Sequence, residues 1–496
     1  MSDHHNLMPA GPGFELVEHY IPGGFHPIQL GDKLKHDRYH IRHKLGYGHS
    51  STVWLAYDNS ANRYVAVKVI CACSSSKVRE IAIHRFLALD EERYVKSPII
   101  KLLDRFKVHG PNGSHICLVL ELQGPSLDSL HGTKIQPKIL RMLARQLSEG
   151  IEFLHRRDVA FGDLWTANIL LGLVDINDLS ETSLHEKLGK PVTKKMNDLI
   201  EDEDFENAPE VVYRCVDFSK LDLNLLIPRI ILTDLNEAVL TSDTTIEHDT
   251  TINILYASPE NVLEVNQTHS KASDIWALAC CFYEMRARQL LFPLSDDPDS
   301  AAFSMQHLIG PIPDELFQQA DPFDEIEQLT EDDLADSKTT LRHKLAEIGD
   351  WNPWHTMTHE ERWENMRFFL RDKNLDINKL SYNMEDRINA GPPPPAKLSE
   401  EEFADLYDLL SKMLQWRPED RLAIEKVLAH LWLNREYKDN DDPSAPWIQR
   451  YDVWGRKYKG RKVEPVNDAS GDQQPEAESS NDDLFVTWLL GLPVPQ

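Results

Sequence analysis

An aspartate and an asparagine, Asp163 and Asn168, stand five positions apart in the segment Phe-Gly-Asp-Leu-Trp-Thr-Ala-Asn. An Asp that accepts a hydroxyl proton and an Asn that ligates Mg²⁺ together suit phosphoryl transfer to an alcohol. The nearby run His-Arg-Arg-Asp, which ends at Asp158, looks similar but has no Asn five residues further on. We therefore predict that Asp163 is the catalytic base and that Asn168 is a metal ligand.

The elements on either side of this loop would hold it in place. Residues 139–155 repeat apolar side chains at helical spacing, which predicts a buried helix that ends shortly before the loop. The apolar residues 169–171 follow the loop directly and predict a short strand. The two carboxyl and amide side chains should thus lie on a loop between a buried helix and a strand.

A basic residue lies inside an apolar strand far upstream of the loop. Residues 39–45, 52–57 and 64–70 have the pattern of three strands joined by turns, which predicts an antiparallel meander. Lys68 lies in the third strand, and a buried Lys is costly unless it meets an anion. Phosphates and a helix Glu would supply that anion, and Glu80, which opens the next helical run, is the candidate.

Two further segments suit a nucleotide. The turn between the first two strands contains Gly46 and Gly48, whose backbone N–H groups could approach phosphates, and Val53, which would cover a base. Ser51 stands where a third Gly is usual. Residues 116–122 predict a buried strand that runs into a Gly-Pro break, where a hinge would offer adenine its backbone groups. Taken singly, an ordinary Gly-rich hairpin and an ordinary strand and turn would look the same.

Charged residues downstream complete the pattern. Asp234 ends the apolar run 229–233, at the position expected for a Mg²⁺-chelating carboxylate. Asp274 begins an apolar helix, which it would cap, and it could bind the backbone of the catalytic loop. We expect Glu260 and Arg421 to form a buried pair, although each alone could be a surface charge.

Composition limits the function classes. The chain has 496 residues, of which 41% are hydrophobic, and this is enough for a large core. Its formal net charge of −28 argues against nucleic-acid binding and favours basic partners, although acidic proteins are also simply soluble. With no apolar run of membrane-spanning length and no signal-like N-terminus, we expect a soluble chain that is not secreted. The six Cys form no C-x-x-C pair, so neither a zinc site nor a disulfide framework is indicated.

Together the motifs resemble those of protein kinases, because all of them occur in the expected order between about residues 39 and 433. The segments 23–27, 31–32, 44–55 and 115–117 are more narrowly similar to the SR-protein kinase family, and so is the long spacer between the catalytic loop and Asp234. The chain is thus identified as a divergent member of that family.

The resemblance implies an α+β bilobal kinase fold with a small β-rich lobe and a large helical lobe. The implied boundaries are an extended lead-in at 1–38, an N-terminal lobe at 39–122, a C-terminal lobe at 123–440 with inserts at 172–228 and 294–400, and a partly disordered tail at 441–496. The implied catalytic residues are Asp163, Lys68 and Glu80, and the implied metal ligands are Asn168 and Asp234. The implied nucleotide-binding residues are Leu45, Gly46, Gly48, Ser51, Val53, Ala66, Lys68, Glu121 and Leu122.

The resemblance also implies a function. A family member would use ATP and Mg²⁺ to phosphorylate Ser in basic Arg/Ser-rich splicing factors, and the acidic charge of this chain suits such substrates. We expect a monomer that does not bind nucleic acid or membranes directly and that is found in both cytoplasm and nucleus.

Several positions depart from the kinase pattern. Trp165 replaces the Lys that usually reaches the γ-phosphate, and Asn253 replaces the Thr that usually bonds this Lys and the base. Ala167 offers no substitute cation, and Asn236 stands where Gly is usual after Asp-x. Gly162 replaces the Arg that would bind a phosphorylated activation segment, so we predict that activity needs no such phosphorylation.

These departures leave alternatives open. Loss of one electrostatic contact to the transition state costs roughly 100-fold or more, so the sequence predicts slowed chemistry. The alternative is a degenerate kinase fold that acts as a binding or scaffold protein. A third possibility is a small-molecule phosphotransferase, whose loop is locally similar, but Glu260, Asp274 and Arg421 argue against it because they build a platform for protein substrates.

Overall fold

The structure is a computed structural model. It describes residues 13–75, 79–130, 133–196, 207–218, 221–242, 253–263, 269–292, 298–320, 326–335, 339–349, 395–439 and 444–450. Within these residues, no helix is both long enough and apolar enough to cross a membrane.

The N-terminal lobe is built on an antiparallel sheet, whose described strands lie in the order β1-β2-β3-β4-β6-β5. These strands are Lys33–Leu34 (β1), Tyr39–Tyr47 (β2), Ser51–Asp58 (β3), Arg63–Ile70 (β4), Leu102–Gly110 (β5) and Gly113–Glu121 (β6). The predicted meander is therefore confirmed. Nearly all residues of β4 are apolar because both faces of the sheet are covered at this strand, where all but the first residue are buried.

Two helices lie between β4 and β5, and they are Glu80–Leu87 (α1) and Glu91–Lys96 (α2). The C-terminal lobe continues with short strands and helices. Its strands are Thr133–Ile135 (β7), Val159–Ala160 (β8), Ile169–Leu173 (β9), Thr193–Lys195 (β10), Val211–Tyr213 (β11), Leu226–Leu232 (β12), Val239–Leu240 (β13) and Ile448–Arg450 (β14). Its helices are Pro137–His155 (α3), Glu181–Leu188 (α4), Pro259–Val262 (α5), Lys271–Ala287 (α6), Pro298–Ile309 (α7), Asp314–Phe317 (α8), Glu331–Leu334 (α9), Leu341–Ala346 (α10), Glu400–Met413 (α11), Ile424–Ala429 (α12) and Leu431–Asn434 (α13).

Two central helices hold the catalytic segment against the core of this lobe. Helix α3 buries Leu143, Leu147, Ile151 and Leu154 completely, which confirms the predicted buried helix. Helix α6 is buried on nearly all sides, as expected for an element surrounded by other helices. Its N-cap is Ser270 in a capping box with Ser273, so the prediction that Asp274 caps this helix is wrong. The side chain of Asp274 instead turns toward the catalytic loop.

The segments that flank the two lobes pack against them. Strand β1 pairs with β2, and Phe25 and Ile28 are buried, so the lead-in packs on the N-terminal lobe. Strand β14 pairs with β7 of the C-terminal lobe, so the first part of the tail belongs to that lobe. The apolar segment 484–492 lies outside the described residues.

The two inserts also contain folded elements. Helix α4 and the hairpin of β10 and β11 lie in the spacer 172–228, whose acidic run 201–206 is outside the described residues. Helix α7 lies within the predicted insert 294–400 but contributes Ala302, Met305 and Leu308 to the main core. The first half of this insert thus belongs to the lobe itself, because the apolar face of α7 is buried in the core of the lobe. Residues 350–394 of the insert are outside the described residues.

Candidate active site

The catalytic loop is hydrogen-bonded to helix α6. The Asp274 carboxylate accepts hydrogen bonds from the backbone N–H groups of Phe161 (2.7 Å) and Gly162 (3.0 Å). His155 Nε2 lies 2.9 Å from the same carboxylate, at the end of α3. The prediction that Asp274 binds this loop is therefore confirmed, and its buried carboxylate fixes the backbone that precedes Asp163.

Asp163 and Asn168 face each other at the head of the loop. The Asn168 amide donates to the Asp163 carboxylate Oδ2 (2.8 Å) and to its backbone carbonyl (2.9 Å). Burial, and after it the nearby charge of Asp234, raise the pKa of Asp163 to about 6, against the hydrogen bond from Asn168. Because this pKa lies below neutrality, the carboxylate is mostly ionised at pH 7 and can accept a proton.

The aspartate of the similar run His-Arg-Arg-Asp, Asp158, lies on the surface. Asp158 has φ +54° and its side chain pairs with Lys271 at 2.6 Å on the surface. It therefore does not share the position of Asp163.

Lys68 joins the two lobes. Its Nζ lies 3.1 Å from Glu80 Oε2 on α1 and 2.6 Å from the Oδ1 atom of Asp234, which lies two residues after β12. Burial alone would lower the pKa of Lys68, but the carboxylates of Asp234 and Glu80 raise it above its usual value. Burial would likewise raise the pKa of Glu80, whereas Lys68 and His84 hold it below its usual range. The buried Lys thus meets the anions that the sequence analysis required.

The Gly-rich turn lies beside Lys68. Gly46 pairs with Val53, and Val53 pairs with Lys68 on the next strand. A side chain placed at Gly46 or Gly48 would meet no atom within 4 Å, so the space above both glycines is open. Backbone groups at this turn could therefore approach a phosphate closely.

The other predicted nucleotide-binding residues surround this turn. Leu45 lies in β2 and packs on two hydrophobic clusters, Ser51 begins β3, and Ala66 is buried in β4 opposite Leu55. Glu121 is the last residue of β6, and Leu122 follows it on the connection to the C-terminal lobe. Their roles in nucleotide binding stay predictions.

The residues present fit Mg²⁺ and ATP. Asn168 uses its amide nitrogen on Asp163, which leaves its carbonyl oxygen for a cation, and the Asp234 side chain is 37% exposed beside Lys68. No group of three or more His, Cys, Asp or Glu in the described ranges could hold a metal by itself. A Mg²⁺ ion here would therefore take Asn168 and Asp234 together with phosphate and water oxygens, as this hard cation commonly does.

The departures from the kinase pattern have structural partners. The Trp165 ring packs on Tyr256 with centroids 6.3 Å apart, and Asn253 Oδ1 accepts the N–H of Leu255 as the cap of a short 3-10 turn. Asn236 Nδ2 donates to Glu237 at 3.0 Å. Each substituted side chain thus has a local structural role.

Sequence reasoning missed three groups around the site. His84 lies one helical turn after Glu80, His269 lies over Gly162, and Glu284 accepts a hydrogen bond from Thr166 of the loop (3.0 Å). The i to i+4 spacing of Glu80 and His84 is a signal that could have been found on a helix. The other two contacts join residues more than 100 positions apart and have no local signal.

The comparisons with known proteins agree with this geometry. The protein kinase domain family matches residues 39–223 and 222–433. The chain therefore belongs to the protein kinase family, and the predicted bilobal α+β fold is confirmed.

Its relatives define the family more narrowly. Serine/threonine-protein kinase SRPK of Physarum polycephalum is 31% identical over 334 residues, which cover 60% of this chain and 73% of that kinase. Protein kinase dsk1 of Schizosaccharomyces pombe is 41% identical over 168 residues (32% of this chain, 30% of that kinase). SRSF protein kinase 3 of Homo sapiens is 34% identical over 169 residues (32% and 29%). The chain is a member of the SR-protein kinase family of serine/threonine protein kinases, as the sequence predicts, although the alignments with the last two relatives span less than a third of their length.

Proposed function

We propose that this protein is an active kinase that transfers the γ-phosphoryl group of ATP to serine in basic, Arg/Ser-rich proteins. The observation that carries the proposal is the convergence of Lys68, Glu80 and Asp234 beside Asp163 and Asn168. In this arrangement Asp163 orients the serine hydroxyl and accepts its proton. Bound Mg²⁺–ATP supplies the phosphoryl group and neutralises its charge, while Lys68 and the glycines of the turn orient the phosphates.

The substrate class is supported by charge. The net charge of −28 attracts basic partners, and exposed acids of α8 and α9 (Glu315, Glu331, Asp332 and Asp333) lie on the C-terminal lobe. One of these acids, Glu315, pairs with Arg417 of the same chain, which is the kind of contact that an arginine of a basic substrate would make. The name of the human relative, SRSF protein kinase 3, supports the same class of substrate.

The test measures phosphate transfer from Mg²⁺–ATP to an Arg/Ser-repeat peptide and to a neutral Ser peptide. We expect transfer to the basic peptide that falls by roughly 100-fold or more in Asp163→Asn. Asp158→Asn is the matched control, because it makes the same substitution in the neighbouring surface pair with Lys271 and should retain activity. ATP binding without transfer would overturn the proposal and favour a scaffold role.

We also infer that the chain acts as a monomer in cytoplasm and nucleus, on protein and without direct contact to nucleic acid or membranes. The acidic charge supports the exclusion of nucleic acid. Light scattering of the purified chain and imaging of a tagged copy test these points. A stable dimer, or a signal confined to one compartment, would contradict them.

A further inference from the structure

Within the described part of the chain, two buried polar atoms beside the Lys68–Glu80 pair have no hydrogen-bond partner. They are Glu80 Oε1 and His84 Nε2, and they lie 3.8 Å apart on the same face of α1. Glu80 is fully buried and His84 is 2% exposed. Because an unpaired buried polar atom costs free energy, each of these atoms is the natural partner of the other.

The other nitrogen of the His84 ring fixes the orientation of the ring. His84 Nδ1 lies 2.8 Å from the Tyr94 hydroxyl on α2, and that hydroxyl donates to the Ile100 carbonyl (3.3 Å). The ring is therefore held on the side of Tyr94, and its Nε2 faces Glu80 Oε1.

We propose that His84 is a positioning residue for the kinase reaction, because it holds Glu80 in the orientation that receives Lys68. The contacts form a relay that runs from Tyr94 through His84 and Glu80 to Lys68. A relay of this kind uses both carboxylate oxygens of Glu80, one for each partner. It rests on the proposed function, in which Lys68 orients the phosphates.

The relay also connects the two lobes. Ile100, whose carbonyl is near Tyr94, donates its N–H to the Leu232 carbonyl (2.8 Å), and Leu232 donates to Pro98 (2.7 Å). Leu232 is the last residue of β12, two positions before Asp234. The segment that holds α1 through Tyr94 is thus bonded to the strand that carries the second carboxylate on Lys68.

An apolar residue could fill the space of His84, so packing alone does not explain an imidazole there. Desolvating a ring with two polar nitrogens is costly, and the cost is smaller where both nitrogens face polar groups. The Tyr94 hydroxyl faces one nitrogen of the His84 ring at 2.8 Å, and the Glu80 carboxylate faces the other at 3.8 Å.

The first test compares three variants in ATP-dependent transfer to the Arg/Ser peptide. His84→Leu keeps the packing and removes both nitrogens, and we expect kcat/KM for ATP to fall roughly tenfold, the effect of one hydrogen bond to a charged group. His84→Gln, whose amide can reach Glu80, should recover part of this loss. His115→Leu is the control, since His115 is also a fully buried histidine of this lobe but bonds only the Ile70 carbonyl.

The second test needs no activity. Unfolding of the nucleotide-free protein is measured for His84→Leu, Glu80→Gln and the double variant. We expect strongly non-additive changes, since either substitution alone breaks the same contact. Additive stability effects would overturn the role of His84. So would wild-type kinetics of His84→Leu together with a lower kcat/KM for ATP in His84→Gln. If the wild-type protein failed to transfer phosphate while the coupling persisted, only the proposed function would be wrong.

Discussion

Trp165 lies two residues after the candidate base, at the edge of the space where charge would develop during phosphoryl transfer. Its ring contacts Tyr256, and the neighbouring position Asn253 caps the 3-10 turn that carries this tyrosine. Trp165 and Asn253 therefore stabilise the local fold at a place where a cation would assist phosphoryl transfer. Lys68 remains the cation of the site, and it is held by two carboxylates on the ATP side.

We expect the double variant Trp165→Lys, Asn253→Thr to transfer phosphate about tenfold faster or more, because a preorganised cation stabilises the charge of the transition state. Thr can still cap the turn, so the local fold should persist. Steady-state kcat on the Arg/Ser peptide is the measurement. Adding Asp163→Asn should abolish the gain, and an unchanged kcat would show that a cation at this position is not limiting.

Gly162 is required by its surroundings. Its φ is +83°, and a Cβ there would lie 2.5 Å from the Glu237 carbonyl and 2.9 Å from the His269 ring. We expect Gly162→Ala to destabilise the protein by about 1–3 kcal/mol and to lower activity, because the catalytic loop must move. Gly189→Ala is the control, since it has φ +86° but no atom within 4 Å. Denaturant unfolding should show the smaller loss in that control, and equal losses would mean that the close contacts are unimportant.

The same crowding concerns regulation. His269 and Glu237 occupy the space beside Gly162 where an Arg side chain would otherwise begin. A phosphate on the activation segment would find no Arg there, and the loop is instead held by Asp274. We expect phosphatase treatment to leave activity on the Arg/Ser peptide unchanged. Loss of activity after such treatment, with the protein still folded, would contradict this prediction.

Helix α6 holds the catalytic loop as well as filling the core. It presents Asp274 to the loop at one end and Glu284 near the other, where Thr166 and the Tyr256 hydroxyl both donate to Glu284. Burial raises the pKa of Glu284 to about 7. One helix thus holds both the backbone before Asp163 and the turn after it.

This carboxyl should make stability depend on pH. Between about pH 4.5 and 7 the folded protein keeps a proton on Glu284 that the unfolded chain releases, so stability falls as pH rises through this window. The full effect is on the order of 3 kcal/mol. We expect Glu284→Gln to gain stability relative to wild type at pH 8 compared with pH 5. Denaturant unfolding at both values is the measurement, with the exposed Glu331→Gln as control, and a pH-independent difference would refute the assignment.

Elements with strong periodicity could be predicted from the sequence. The meander, α3 and α6 have apolar patterns that tertiary contacts only reinforce. The cap of α6 was mistaken because the Ser270–Ser273 box precedes the apolar run by only a few residues. The site residues with local motifs could be predicted, whereas His269 and Glu284 could not, because only folding brings them to the loop.

The described part of the spacer packs over the sheet of the N-terminal lobe. It leaves the C-terminal lobe at β9 and returns at β12, and between them Tyr213 packs on Trp54 of β3 with ring centroids 5.9 Å apart. The Tyr213 hydroxyl donates to Gln29 (2.9 Å), and Cys215 N–H donates to the Gly13 carbonyl (2.8 Å). Lead-in and spacer therefore form one layer on the sheet. Composition alone suggested loose segments because their polar residues outnumber the few aromatic side chains that anchor them.

A buried ion pair lies beneath this layer. Lys44 of β2 and Glu15 of the lead-in pair with each other, and both side chains are at most 1% exposed. Tyr20 also donates to Glu15 at 2.7 Å, and the Trp54 ring lies 5.1 Å from the Lys44 ammonium. The lead-in is therefore held to the sheet by a charge that has no access to water.

We expect Glu15→Leu to destabilise the protein by about 3–5 kcal/mol, because it leaves the Lys44 ammonium buried without its carboxylate. The double variant Glu15→Leu, Lys44→Met should lose much less, since a hydrophobic pair of similar volume removes the uncompensated charge. Tyr20→Phe is the control for the hydrogen bond to Glu15 and should cost only about 1 kcal/mol. Equilibrium unfolding of the three variants and of the wild type decides the matter. If the double variant were as unstable as Glu15→Leu, the attraction between the two charges would hold the lead-in on the sheet, and the cost of an unpaired Lys44 would not explain the loss.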